Sequence, residues 1–442
     1  MKIISQPAGP LLGRIEIPGD KSISHRAALF GALANGESSF NNYLIAGVTN
    51  TMLKALKDLG IQWELDEDRL VISGKGTHAW TAPTSSIDCR NSATTMRLLA
   101  GALAATGTAA VLDGSQGLRR RPMSRIIKPL QMMGAPITAS SDGRAPLSLK
   151  ARPASRPLHG IDYELPIASA QVKTAILLAG LTADSATTIH EPGPSRDHTE
   201  RMLASMGAKI HSESSTHGFS ITISPLSQRP LSAVRMSIPG DFSSAAFLMV
   251  AALITPGSEI KMSNVGLNPT RTGLLDVLRG MGAQIEITNQ AEQHGEPVGD
   301  LTVRCSQLQG IQVNGATVVR MIDEFPIFAI AASSAEGLTI VRDAIELRHK
   351  ESDRIAVLCK NLKDLGIEVN ELPDGFTIEG GKEISGGRIQ AHGDHRMAMA
   401  FTVAGLVAAS PVSISGAEMI DESFPGFVQS LRTLGAEIYR TE

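Results

Sequence analysis

The feature that most constrains this chain is a long-period repeat. The tripeptide Leu/Met-Gly-Ala/Ile recurs around Gly60, Gly134, Gly207, Gly282, Gly366 and Gly435. Successive glycines lie 74, 73, 75, 84 and 69 residues apart, close to one sixth of the 442-residue chain. Between 38 and 43 residues before each glycine stands a polar start, at Ser22, Ser92, Ser169, Ser243, Asp323 and His395, and an apolar run follows each. Self-similarity at a fixed period restricts the fold to copies of one supersecondary unit. Two of the starts are announced by the same tetrapeptide, Ile17-Pro18-Gly19-Asp20 and Ile238-Pro239-Gly240-Asp241.

The unit reads in order. A small polar residue or Gly-Asp caps a buried helix, as at residues 27–34 or 174–181. A second, amphipathic helix follows, for example residues 51–59, and glycine ends it where a left-handed residue is wanted. Alternating strands come next, such as residues 61–65 and 69–72 across Asp66-Glu67-Asp68. The predicted fold class is therefore mixed α/β, six copies long. A simple solenoid is disfavoured, because its repeats span roughly 20–50 residues. The starts also differ in chemistry from copy to copy, which points to helix N-termini converging on a shared site.

Charge and composition narrow the partners. Lys and Arg number 41 against 44 Asp and Glu, a net charge of −3, and aromatic residues make up only 4%. A nucleic-acid binder would carry a basic excess and stacking platforms, so no nucleic-acid partner is expected. Three scattered cysteines, Cys89, Cys305 and Cys359, fit a reducing compartment and no structural metal site. The N-terminus lacks a signal-peptide core, and the longest apolar run, residues 245–254, is too short to cross a bilayer. A cytoplasmic protein with no membrane partner, and a monomer, is the expectation.

Against that neutral background, cations gather at repeat-equivalent places. Lys21, Ser22 and Arg26 open the first copy on one face. Residues 117–122 read Gly-Leu-Arg-Arg-Arg-Pro, and Ser169-Ala170-Gln171-Val172-Lys173 puts hydroxyl, amide and amine in one turn. Ser195 and Arg196 precede Asp197-His198, Arg348 to Arg354 is a dense charged run, and Asp394-His395-Arg396 opens the last copy. Each has a plain reading: a capped helix with solvated charges, or a salt-bridged surface helix. Taken together, Lys21, Arg26, Arg121, Arg196, Lys350, Arg354 and Arg396 describe a locally positive cleft for small, multiply anionic ligands. On a helix, Glu351 and Arg354 fall three apart and Lys350 and Arg354 four apart, so flanking cations would hold Glu351 poised for proton transfer. Asp323 reads as the only carboxylate opening one of the six buried helices, which makes it the leading general base.

The motifs resemble those of the 5-enolpyruvylshikimate-3-phosphate synthase family. Residues 18–26 (Pro-Gly-Asp-Lys-Ser-Ile-Ser-His-Arg), 91–97 (Asn-Ser-Ala-Thr-Thr-Met-Arg), Arg121-Pro122, Ser169-Ala170-Gln171, Lys350-Glu351-Ser352-Asp353-Arg354 and Asp394-His395-Arg396-Met397 carry the resemblance, in order, from about Pro7 to the end. It implies a two-lobed inside-out α/β barrel of six βαβαββ units, three per lobe. Residues 1–19 with 240–442 would form the first lobe and 20–239 the second, with hinges near 19–21 and 239–241. The implied reaction is carboxyvinyl transfer from phosphoenolpyruvate to the 5-hydroxyl of shikimate 3-phosphate, with release of phosphate, a step toward chorismate and the aromatic amino acids. No cofactor or metal is implied.

By the same resemblance, Asp323 accepts the hydroxyl proton, Glu351 or Lys21 exchanges a proton with the methylene, and Lys21 touches both substrates. Ser22, Arg26, Ser169, Gln171, Ser195, Arg196 and Lys350, with Lys21 and Asp323, would contact shikimate 3-phosphate. Asn91, Ala93, Arg121, Gln171, Arg354 and Arg396, with Lys21, would contact phosphoenolpyruvate. Three positions depart from the common pattern. Ala93 replaces a glycine, and its methyl would narrow the phosphoenolpyruvate pocket against bulkier analogues. That matches the glyphosate-insensitive subgroup, which Ser169-Ala170-Gln171 and residues 195–200 also resemble. Glu422 stands where many members have lysine, and Glu346 where some have asparagine; neither is counted as a contact. A UDP-N-acetylglucosamine enolpyruvyl transferase would carry a cysteine in the loop at 117–122, and none is there. A non-catalytic anion-binding module would have lost an acid or a base, whereas Asp323 and Glu351 are both present.

Overall fold

All six repeat glycines sit two residues past the last residue of a surface helix, just after its C-cap, with positive φ. The angles run from +78° at Gly60 to +109° at Gly435. The helices they follow are Gly47–Asp58, Ser124–Met132, His198–Ser205, Gly273–Gly280, Arg354–Asp364 and Phe427–Thr433. At each, the glycine N–H and the next residue's N–H turn back to carbonyls of the last turn, as in Gly60 to Lys57 (3.0 Å) and Ile61 to Leu56 (3.0 Å). That pair of bonds is the Schellman closure, and a side chain in the left-handed region would cost about 1–2 kcal/mol each time. The glycine spacing thus has a backbone cause.

The computed structural model describes residues 1–215, 218–226 and 229–441. Two compact units divide the chain: Met1–Pro18, Pro239–Glu292 and Pro297–Glu442 form one, and Gly19–Ile238 with Gln293–Glu296 forms the other. Each unit has its own hydrophobic core. Each holds three four-stranded sheets, and every sheet begins with a parallel pair at one edge followed by an antiparallel neighbour. Six core helices follow the predicted starts: Lys21–Leu33, Ala93–Thr106, Ala170–Gly180, Phe242–Ile254, Phe325–Ser334 and His395–Ala404. They are buried nearly all round, while strands such as Gln62–Asp66 and Gln284–Gln293 face solvent on alternate residues. Helices inside and sheets outside, six repeats in two sets of three, is the inside-out α/β class that the family resemblance implied; the repeat alone had given mixed α/β in six copies.

Close helix contact depends on missing side chains. A Cβ on Gly101 would fall 2.4 Å from the Ala175 carbonyl oxygen, so the second and third core helices touch backbone to backbone. Three repeats are contiguous in sequence, but three borrow a strand from afar. Lys2–Ser5 lies between Val412–Ser415 and Ile438–Thr441, Leu12–Glu16 pairs with Glu259–Gly266, and Arg235–Ser237 pairs with Asn35–Asn41. Among the described residues, no helix is long and apolar enough to cross a membrane.

Candidate active site

Helix starts decide where the charged groups stand. In the unit containing residues 239–292 and 297–442, the last core helix is capped by Asp394, whose Oδ1 accepts from the Arg396 N–H at 2.9 Å. The fifth begins differently: Glu324 occupies the cap position but makes no capping bond. Its neighbour Asp323 is instead faced by three cations. Arg354 Nη1 lies 3.3 Å and Lys350 Nζ 3.7 Å from Asp323 Oδ1, and Arg396 Nη2 is 3.6 Å from Oδ2. Arg396 also donates to the Asp323 carbonyl at 3.0 Å.

Arg354 is the hub. Its residue is 1% exposed, and its guanidinium reaches Asp394 Oδ2 at 2.8 Å, Glu351 Oε2 at 2.8 Å and Asp323. Burial opposes its charge, but Asp394, Glu351 and Asp323 outweigh that and hold its pKa above the ordinary arginine value. For Asp394, also fully buried, burial again opposes ionisation, yet Arg354 keeps its carboxyl below the usual aspartate range.

Three expectations are corrected here. Residues 350–353 are not helical: a short 3-10 turn, Ile345–His349, ends before Lys350, and the helix begins at Arg354 with Asp353 accepting from the Ala356 N–H at 3.0 Å. Asp353 prefers the cap to the helix interior, so the three-residue spacing of Glu351 and Arg354 is realised across a loop rather than along a helix. Nor is Asp323 the only carboxylate at a core-helix start, because Asp20, Asp241 and Asp394 cap three others. What distinguishes Asp323 is that it stands one residue before the cap position and its carboxylate faces three cations. Finally, the cations here do not form a surplus: Asp323, Glu324, Glu351 and Asp394 stand among Lys350, Arg354 and Arg396. Counting cations along the sequence overlooks carboxylates that the fold brings to them.

The unit spanning residues 19–238 differs in kind. Asp20 caps the first core helix through the Ile23 N–H at 2.8 Å, leaving Lys21 and Ser22 half-buried at the helix start. Arg26 is 2% exposed. Its Nε donates to Thr199 Oγ1 (2.7 Å), Nη1 to the Ser22 carbonyl (2.9 Å) and Nη2 to Thr174 Oγ1 (2.9 Å). These are neutral oxygens, and burial lowers its pKa to about 10. A buried guanidinium held by two hydroxyls and a carbonyl is chemically suited to an anion, which would stabilise its charge.

Of the phosphoenolpyruvate candidates, Asn91, Ala93 and Gln171 lie at the starts of the second and third core helices, while Lys21 opens the first and Arg354 and Arg396 belong to the other unit. Ala93 is the first residue of its helix, 2% exposed, behind the Ser92 cap. Gln171 accepts from Arg97 Nη1 at 2.6 Å and donates to Thr94 Oγ1 at 2.8 Å, so its amide is oriented from both sides. Arg97 also reaches the Pro122 carbonyl at 3.0 Å, tying the Arg121-Pro122 loop to the same place. Asn91 Oδ1 accepts from Ser115 Oγ at 3.2 Å. Ser169 takes the cap position without a side-chain bond, and Ser195 and Arg196 lie in the loop before the helix His198–Ser205. Of the arginine run, Arg119 is committed to Asp113.

Sequence reasoning missed several groups. Lys173, read as a ligand-facing or exposed amine, is 1% exposed and paired with Glu191 and Glu200. A single lysine inside the apolar run of residues 172–181 was the available signal. Arg97 was quoted only as part of a motif, and Glu191 has no local signature.

The chain matches the model of the EPSP synthase (3-phosphoshikimate 1-carboxyvinyltransferase) family over residues 5–431. It is 46% identical over 429 residues to a 3-phosphoshikimate 1-carboxyvinyltransferase of Desulfitobacterium hafniense, covering 97% of this chain and 96% of the relative. It is 47% identical over 433 residues to one from Desulforudis audaxviator, covering 98% and 99%. Among solved structures, an EPSP synthase from Acinetobacter baumannii superposes with a TM-score of 0.88 at 40% identity, over 99% of this chain and 100% of that one.

Proposed function

The chain belongs to the EPSP synthase family, and from that premise we propose which of its residues carry the reaction. The reaction moves the carboxyvinyl group of phosphoenolpyruvate to the 5-hydroxyl of shikimate 3-phosphate and releases phosphate, on the way to the aromatic amino acids. The hydroxyl adds to C2 of phosphoenolpyruvate while C3 takes a proton. Phosphate then leaves, and the resulting methyl group gives a proton back to form the enol ether.

The observation that carries the assignment is the setting of Asp323, a carboxylate just before a core-helix start and faced by Lys350, Arg354 and Arg396. Asp323 takes the hydroxyl proton. Glu351, at 23% side-chain exposure and fixed to Arg354 at 2.8 Å, exchanges the proton at the methylene, with Lys21 as the other donor. Lys21, Ser22, Arg26, Ser169, Gln171, Ser195, Arg196 and Lys350 hold shikimate 3-phosphate. Lys21, Asn91, Ala93, Arg121, Gln171, Arg354 and Arg396 hold phosphoenolpyruvate. Guanidiniums neutralise the leaving phosphate.

Phosphate release, measured with each substrate omitted in turn, tests this. It should require both, and Asp323→Asn and Glu351→Gln should each lower kcat by about 10²–10⁴-fold. Undiminished turnover in either variant removes that residue from the assignment. Glyphosate tolerance follows from the Ala93 methyl at the helix start. The parent should turn over in micromolar glyphosate, and Ala93→Gly should become sensitive; inhibition of the parent would end that reading. All three cysteines are free thiols, with Cys89 and Cys359 buried, which suits an enzyme of the reducing cytoplasm.

A further inference from the structure

A buried ionic cluster lies directly behind Ser195. Lys173 Nζ is 2.9 Å from Glu191 Oε1 and 2.6 Å from Glu200 Oε1, and the three side chains are 1%, 2% and 9% exposed. Ser195 is bound to this cluster by every polar atom it has. Its hydroxyl donates to Glu191 Oε2 at 2.7 Å, its N–H donates to Glu191 Oε1 at 3.3 Å, and its carbonyl accepts from Lys173 Nζ at 3.4 Å. Lys173 belongs to the third core helix, Glu191 ends the strand Thr187–Glu191, and Glu200 lies in the helix His198–Ser205. Lys173 and Glu191 thus hold Ser195 directly from two elements, and Glu200 braces Lys173 from a third.

Stability does not account for the arrangement. Taking a cation and two carboxylates out of water costs several kcal/mol per ion, and apolar replacements of such clusters are often neutral or stabilising. What the cluster does supply is a fixed position for Ser195 and the adjoining Arg196. We infer that Lys173, Glu191 and Glu200 are positioning residues that hold Ser195 and Arg196 in register for the phosphate of the acceptor substrate. The inference rests on the assignment of Ser195 and Arg196 as phosphate contacts.

The charges fit that task. Without Lys173, two carboxylates would stand behind an anion-binding loop and repel its ligand. Burial works against the Lys173 charge, but Glu200 and Glu191 outweigh it and hold its pKa above the ordinary lysine value. Burial also pushes the Glu200 carboxyl up, against the pull of Lys173, and its Oε2 is buried with no hydrogen-bond partner. The single hydroxyl hydrogen of Ser195 points at Glu191 and must turn away to serve a phosphate oxygen. Lys173, 2.9 Å from Glu191, keeps that carboxylate compensated when the hydrogen turns.

Steady-state phosphate release with two acceptors, shikimate 3-phosphate and unphosphorylated shikimate, tests the inference. The variants are Lys173→Met, the isosteric Glu191→Gln, and Lys173→Met with Glu200→Gln, which removes one charge of each sign. Each single variant should raise KM for shikimate 3-phosphate about tenfold or more, with KM for phosphoenolpyruvate and kcat within about twofold. The kcat/KM for unphosphorylated shikimate should stay within about twofold, since there is no phosphate to position. The charge-balanced double variant should recover part of the loss of Lys173→Met. Equal losses with both acceptors would mean a merely structural cluster and overturn the inference, as would an unchanged KM in Glu191→Gln. Ser195→Ala and Arg196→Met separate the two claims. If they raise KM for shikimate 3-phosphate and the cluster variants do not, the inference alone falls. If they too leave KM unchanged, the phosphate assignment falls and the inference with it.

Discussion

Replacing Arg354 by methionine should strand a buried charge, and the structure sets the size of the effect. Asp394 is fully buried, and Arg354 is its cationic partner at 2.8 and 3.4 Å; its remaining bonds come from the Arg396 N–H and the Ser352 hydroxyl. Removing one partner of a buried pair costs about 3–5 kcal/mol. Glu351 and Asp323, at 23% and 17% side-chain exposure, can return to water and add less than about 1 kcal/mol each. Asp394→Asn alone keeps a cap-competent side chain and gives up charge-assisted bonds, for about 1.5–3 kcal/mol. The double variant removes both charges, so the two losses should couple by about 2–3 kcal/mol in a mutant cycle. Urea unfolding at pH 7 measures this, with Leu178→Ala in the other unit's core identifying which transition belongs to which unit. The native pKa of Asp394 is depressed, so its contribution is complete above the unfolded value of about 3.9 and is lost as pH falls through the lower native value. The cost of Asp394→Asn should therefore hold steady at neutral pH and shrink in acid below about pH 4. Coupling under about 0.5 kcal/mol, or a cost that ignores acid, would refute the reasoning.

Other consequences are equally direct. Gly101→Ala forces a methyl to within 2.4 Å of the Ala175 carbonyl and should cost about 3 kcal/mol. Gly134→Ala, with φ +86° and nothing closer than 3.5 Å, should cost only the left-handed strain of about 1–2 kcal/mol; thermal unfolding that reversed this order would contradict the backbone-contact account. His25 is buried, and desolvation lowers its pKa to about 4, with Lys21 and Arg26 adding to the effect. Its ring should show no titration in NMR above about pH 5, while the unfolded chain takes a proton below about 6.5. His25 therefore subtracts stability as pH falls from about 6.5 toward 4, and His25→Gln should flatten that part of the profile.

Much of the site was legible because helix caps and charged loops are local. Lys21, Arg26, Glu351, Arg354 and Arg396 declare themselves by residue type beside a predicted helix start. Their partners do not. Nothing near Arg354 in sequence names Asp394, 40 residues on, and nothing near Ser195 assigns Lys173, 22 residues before it, as the buried amine behind it. The helical spacing assumed for Glu351 failed for a local reason as well, since Asp353 outcompetes the helix interior by capping it.

The six glycines mark a period that the sequence determines by itself, because a left-handed helix end tolerates little else and that demand is met within a few residues. The buried helices are fixed the same way, by polar starts ahead of apolar runs. Strand partners were decided only in three dimensions. Lys2–Ser5 completes the sheet of the last repeat, Leu12–Glu16 that of the fourth, and Arg235–Ser237 that of the first. A strand's alternation states that it wants a sheet on one face, but its edge hydrogen bonds fit any open neighbour of matching register. Which neighbour is open depends on how the core helices have already packed. The same holds for charge: the sequence supplies cations and carboxylates in nearly equal measure, and only the packing of helix starts leaves Asp323 facing Lys350, Arg354 and Arg396.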